Sequence, residues 1–179
     1  MKSIFVQKLN MKYITAILLF MTTASLSAQN GKAITSKKTF SRETTISIKI
    51  NSDAKTVWEL LTNATNFPNW NSTIISIQGE IAKGEKIKLK SILDEKRTFK
   101  LKVKEFEPNK KMIWGDGKGN RVYILEEIKG SVIITMTEKI GGLMFPMYAK
   151  YIPPFDEMFE QFANDLKKEA EKINSTKNQ

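Results

Sequence analysis

No histidine and no cysteine occur among the 179 residues, and that pair of absences removes most nucleophilic and metal chemistry. A Ser-His-Asp or Cys-His system cannot be assembled. Imidazole and thiolate metal sites, disulfides and a lipid anchor on cysteine are excluded as well. No side chain has an unperturbed pKa near neutrality, so acid–base catalysis would fall to displaced carboxylates, lysines or tyrosines. Glu138 and Tyr123 are the two catalytic candidates. Glu138 lies two residues from both Met136 and Ile140 in an alternating segment and so can share their face. Buried there, its carboxyl would lose hydration, the condition a general acid or a ligand anchor needs. Turned to the strand end, it is an ordinary solvated acid. Arg121 either pairs with Glu138 across the sheet, binds an anionic head group, or faces water.

The second chemistry is apolar recognition. Phe99, Leu101, Val103 and Trp114 fall at inward strand positions, as do either Val122 or Tyr123, and Met136, with Trp70 a bulky anchor before the strands. Phe155, Met158, Phe159 and Phe162 recur at helical spacing near the C-terminus. Ligand pockets are apolar clefts with a few polar groups, and methionine is the adaptable gap-filler. The same side chains would also make a solid core. Leu143-Met144-Phe145-Pro146-Met147, between two glycines and Pro153-Pro154, reads either as a lid that brings Met144 and Phe145 to a ligand or as an inward plug. Tyr148, Lys150 and Tyr151 are placed to orient a head group at such a mouth.

Elements must position these residues. Ile46, Ile48 and Ile50 alternate with Ser47 and Lys49, a half-buried strand. Ser52 or Asp53 can cap a helix carrying Ala54, Val57, Trp58 and Leu61, which Asn66-Phe67-Pro68 interrupts. Six strands are expected at 73–78, 86–92, 97–106, 111–114, 121–127 and 132–140, joined as sequential hairpins into an antiparallel meander. Gly115-x-Gly117-x-Gly119 lacks the following helix and the Gly-Lys-Ser/Thr ending of a phosphate loop, so it is a hairpin tip. From Phe155 the period becomes helical for roughly 20 residues, about 30 Å, with acids early and lysines late, as the helix dipole favours. The fold class expected is therefore α+β, about seven antiparallel strands in a curved sheet wrapped around one long C-terminal helix.

Lys2, Lys8 and Lys12 precede the apolar run Tyr13–Met21 and the small residues Ser25–Ala28, the order of a secretory signal peptide. Residues 1–28 read as that peptide, or as an uncleaved anchor; 29–41 as a flexible leader, 42–174 as one domain and 175–179 as a disordered tail. Removing 1–28 takes three lysines and no acid, so the net charge of +10 becomes +7. Lys86, Lys88, Lys90, Lys100, Lys102 and Lys104 should share the outer face of adjacent strands. No aromatics interleave them to stack bases, which argues against nucleic acid.

The order strand, helix pair, six-strand meander, long helix resembles the START-like helix-grip superfamily (SRPBCC), in its polyketide cyclase/lipid-transport-type branch. The match is carried by Ile46-x-Ile48, Ala54–Leu61, Phe67-Pro68-Asn69-Trp70-Asn71, Gly79 with Gly84-Glu85, Phe106–Lys110, Trp114 and the Phe155–Ala170 helix. The resemblance implies a sheet gripping the last helix around a cavity for hydrophobic or amphipathic small molecules; only some members are enzymes. The chain is therefore expected to be a secreted or periplasmic binding protein. It would be a monomer without a cofactor, metal or nucleic-acid partner, and would touch a membrane surface transiently. A cyclase, dehydrase or hydrolase on the same scaffold, or a protein-interaction module, are the alternatives.

Overall fold

The computed structural model describes residues 31–177; the signal-peptide assignment to 1–28 lies outside them. Eight strands form one antiparallel sheet: β1 Ile34–Lys38, β2 Ser41–Ile50, β3 Ile74–Gln78, β4 Lys86–Ser91, β5 Phe99–Glu107, β6 Lys111–Gly115, β7 Gly119–Ile128 and β8 Ser131–Gly141. Their order is β1-β2-β8-β7-β6-β5-β4-β3. Strands β3 to β8 are the expected meander, and β2 closes onto β8 with Ile46 opposite Met136 and Ile48 opposite Ile134. Two helices, α1 Ala54–Thr62 and α2 Phe67–Trp70, follow β2, and a short α3 Phe145–Tyr148 precedes the long α4 Asp156–Lys177.

Two boundaries differ from expectation. Part of the stretch expected to be a flexible leader is the edge strand β1, the eighth strand, paired from Ile34↔Thr45 to Lys38↔Ser41. Backbone pairing and side-chain tethers hold it: Thr35 Oγ1 donates to Asp156 Oδ1 at 2.9 Å, and the Ala33 amide to Glu160 Oε1 at 3.1 Å. At the other end, the helix runs through Ser175–Lys177 rather than ending at 174. Asn174 donates to the Asn51 carbonyl at 3.1 Å, and Lys177 Nζ lies 3.8 Å from Asp53.

Helix α4 buries Phe159, Phe162, Ala163, Leu166 and Ala170 along one stripe, each large side chain stabilising by roughly 1.5–3 kcal/mol. Phe162 meets Phe67, Trp70 and Tyr123 with ring centroids 6.3, 5.8 and 6.1 Å away. Helix α1 buries Val57, Trp58, Leu60 and Leu61, and Trp58 meets Phe106 edge-on at 5.0 Å. Among the described residues, no helix is long and apolar enough to cross a membrane.

Asp53 caps α1, accepting from the Thr56 amide at 2.6 Å and its hydroxyl at 3.0 Å. Burial raises its carboxyl, but those bonds and Lys177 outweigh it, so the net shift is downward. A lowered folded value means the cap's contribution is complete above the ordinary aspartate value of 3.8 and is lost as pH falls through the folded one. Asp53→Ala is expected to cost about 1 kcal/mol at neutral pH. The difference from the parent should shrink in urea melts repeated under acid.

Candidate functional site

A partly open cavity of about 320 Å³ lies between the sheet and the first turn of α4. The alternation of β4 and β5 turns Leu89, Phe99 and Leu101 inward, and β6 adds Trp114. Phe155, just before α4, and Met158 on its first turn add to it, while Tyr148, Tyr151, Ile152 and Pro153 form one lip. The 3₁₀ turn Ile92–Asp94 and Arg97 form the other lip. Arg42 fixes the first lip to β2: its two terminal amino groups donate to the Ile152 and Pro153 carbonyls at 3.0 and 2.5 Å. Its guanidinium also stacks 4.8 Å from the Phe155 ring centre.

Arg121 and Glu138 supply the polar end. They are directly opposed on β7 and β8, and Arg121 Nε donates to Glu138 Oε2 at 2.6 Å. Both side chains line the cavity yet are only 12% and 16% exposed. Of the alternatives open for Arg121, the cross-sheet pair is therefore the one found. Burial alone would lower the guanidinium's pKa, but Glu138 more than reverses it. The Arg121 guanidinium also lies 4.9 Å from the centre of the Phe159 ring. Among the described residues, its terminal amino groups donate to no protein acceptor. Arg121 borders the cavity, so its remaining N–H groups are charged donors available there to an oxygen acceptor.

Tyr123 sits one layer deeper, fully buried, with its ring 5.1 Å from that of Trp114. Among the described residues its hydroxyl makes no hydrogen bond of good geometry, although the Arg121 guanidinium lies near enough to act on it. Burial pushes the phenol up to about 12, partly opposed by Arg121. A folded value above the unfolded one gives stability that is complete below pH 10 and falls as pH rises toward 12. Absorbance titration near 295 nm should show one late tyrosine, absent in Tyr123→Phe. Removing an unsatisfied buried hydroxyl should stabilise the protein by about 1 kcal/mol.

Of the side chains predicted to meet a ligand, Phe99, Leu101, Trp114 and Phe155 surround the cavity. Trp70, Tyr123, Met136, Phe159 and Phe162 are packed in the core and do not line the cavity. The segment at 143–147 is divided: Phe145 is buried, whereas Leu143, Met144 and Met147 project outward. None of the five lines the cavity. Ile74, Leu89, Leu93, Arg97, Ile140 and Ile152 line it without having been singled out. Alternation along β4 and β8 turns Leu89 and Ile140 inward, but no local pattern marks the loop residues. All six outer-face lysines are exposed. Among the described residues, no group of three His, Cys, Asp or Glu side chains could hold a metal.

No family profile and no curated protein sequence matches the chain. Solved structures do match it. A START superfamily protein from Mycobacterium smegmatis is 15% identical with a TM-score of 0.55, covering 73% of this chain and 98% of its own. A protein from Staphylococcus saprophyticus is 16% identical at TM-score 0.55, covering 70% and 88%. A protein of the dynemicin biosynthetic locus is 14% identical at TM-score 0.53, covering 69% of this chain but only 45% of its own. At such identities the likeness is one of fold.

Proposed function

We propose that this START-like helix-grip scaffold serves as an exported binding protein for an amphipathic small molecule, which it holds without altering chemically. One observation carries the reading: one cavity joins an apolar wall to the nearly buried Arg121–Glu138 ion pair. The tail would lie against Leu89, Phe99, Leu101, Trp114 and Met158, and the polar end against Arg121 and Glu138. Burying roughly 300 Å² of apolar ligand surface at about 25 cal/mol per Å² supplies some 7 kcal/mol before association costs, so affinity is micromolar or weaker.

The second reading is an enzyme of the cyclase, dehydrase or hydrolase kind, favoured by one observation: Glu138 is an ionisable side chain at the cavity wall. Against it, Arg121 occupies one carboxylate oxygen, and the deeper Tyr123 phenol holds its proton far above neutral pH. Export rests on the Lys12, Tyr13–Met21, Ser25–Ala28 order. The remaining partners in this reading are a membrane surface touched in passing and no nucleic acid, with the protein a monomer.

Native mass spectrometry on the protein recovered after export, followed by organic extraction, tests the reading. A retained non-covalent mass, recovered unchanged on extraction, is the expected result. Protein that is empty in every preparation counts against a carrier, and a mass that is converted during incubation favours the enzyme.

A further inference from the structure

We propose that the rim of the cavity mouth is a docking face for an anionic phospholipid bilayer. This deepens the passing membrane contact of the preceding reading by naming its surface and its lipid chemistry. The turn at Phe40, the β6–β7 hairpin tip and the end of β8 converge there. The Gly142 amide donates to the Phe40 carbonyl at 3.0 Å, and the Gly141 amide to the Lys118 carbonyl at 3.0 Å. Leu143 is 87% exposed, Met147 67% and Tyr151 74%, with Phe40 and Met144 also outward. The stretch 143–151 is continuous with the cavity, because Tyr148 and Tyr151 form its lip. Large exposed apolar side chains clustered at one end of a molecule are uncommon without a partner.

Charge selects that partner. The three converging segments, 37–42, 116–120 and 138–151, carry Lys37, Lys38, Arg42, Lys118, Lys139 and Lys150 against Asp116 and Glu138. Glu138 is already paired with Arg121, and Asp116, which accepts from the Lys118 and Gly119 amides, keeps its charge as one acid against six cations. The free charge of the rim is thus positive. A second copy docking through the same patch would set lysine against lysine, whereas an anionic lipid surface attracts each lysine and receives the apolar side chains at the acyl boundary. Lys118 lies over the Tyr148 ring at 5.3 Å and Lys150 over Tyr151 at 4.9 Å, so cations and amphipathic rings share one level, as at a bilayer interface.

The test is flotation of the exported protein with vesicles of phosphatidylglycerol and phosphatidylcholine, against phosphatidylcholine alone. Selective binding to the anionic vesicles, weakened by salt, is expected. Leu143→Ser/Met144→Ser/Met147→Ser should weaken it by more than about tenfold. Each of Lys118→Gln, Lys139→Gln and Lys150→Gln should cost about fivefold. Unchanged melting temperatures establish that these variants fold, and Leu143→Trp should shift its fluorescence to the blue only with anionic vesicles. The proposal is overturned if the parent ignores anionic vesicles. It is equally overturned if binding persists undiminished in the triple serine variant, which would assign membrane contact to another part of the chain. Concentration-dependent dimerisation abolished by the serine variant, without vesicle binding, would replace the bilayer with a second copy. Ligand retention by mass spectrometry is read separately, so an empty cavity and an unbound rim are distinct failures.

Discussion

Arg121→Met alone is expected to destabilise the protein by about 3 kcal/mol, and Arg121→Met with Glu138→Leu to recover most of that loss. The reason lies in the asymmetry of a nearly buried pair. Their mutual attraction roughly repays the cost of taking both charges out of water, so replacing both by apolar groups of similar volume is close to neutral. Removing one leaves the other desolvated without a counter-charge. Glu138→Leu should resemble Arg121→Met in direction, because the stranded guanidinium then faces the Phe159 ring and the apolar wall. Denaturant midpoints of the parent, both single variants and the double variant form a cycle that isolates the coupling. Four additive values would show the pair to be solvated and would remove the polar end of the proposed site. The same double variant separates stability from binding. It should melt near the parent yet lose any ligand whose polar group is held by the guanidinium edge.

Phe162→Ala should cost about 4 kcal/mol. The side chain is 2% exposed and contacts three other aromatic rings from α2 and β7, so its deletion opens a void that rigid neighbours cannot refill. Its carbonyl also accepts from Asn71 Nδ2 at 3.4 Å, which ties the middle of α4 to the residue after α2. Met158→Ala, on the same helix, faces existing empty space and the Ser91 hydroxyl. It should cost far less. Comparable losses at the two positions, measured by thermal and urea melts, would mean that the space beside Met158 is filled in solution.

These two residues illustrate what the chain discloses about itself. Period-two alternation exposes the inward face of the regular meander strands, and the 3.6 period from Phe155 exposes the gripping stripe, because both follow from local geometry. Inward, however, has two meanings here. Met136 and Glu138 share one face of β8, as Tyr123 and Arg121 share one face of β7, yet the first of each couple is in the core and the second borders the cavity. What separates them is sheet curvature, with register breaks between Ile74 and Ser76 and between Val103 and Glu105, and the line along which α4 crosses. Neither is written in any short stretch of residues. Strand β1 was illegible for a different reason: Thr-Ser-Lys-Lys has no apolar alternation, since an edge strand with exposed Ile34 at its start needs backbone pairing more than burial.

That added strand also bears on colloidal behaviour. Strand β2 contains the Thr44–Ile50 run, two threonines and then isoleucines alternating with Ser47 and Lys49, a β-prone composition that can recruit foreign strands when its backbone is open. The five β1 residues pair with Ser41–Thr45, and the Gly31 amide donates to the Ser47 carbonyl at 3.2 Å, so this segment shields the first half of β2 up to the start of that run. A proteolytic nick at Thr39 or Phe40 that released them would leave cavity, ion pair and gripping helix in place. It would also turn a shielded border into a template for self-assembly, so shelf life would fail before recognition did.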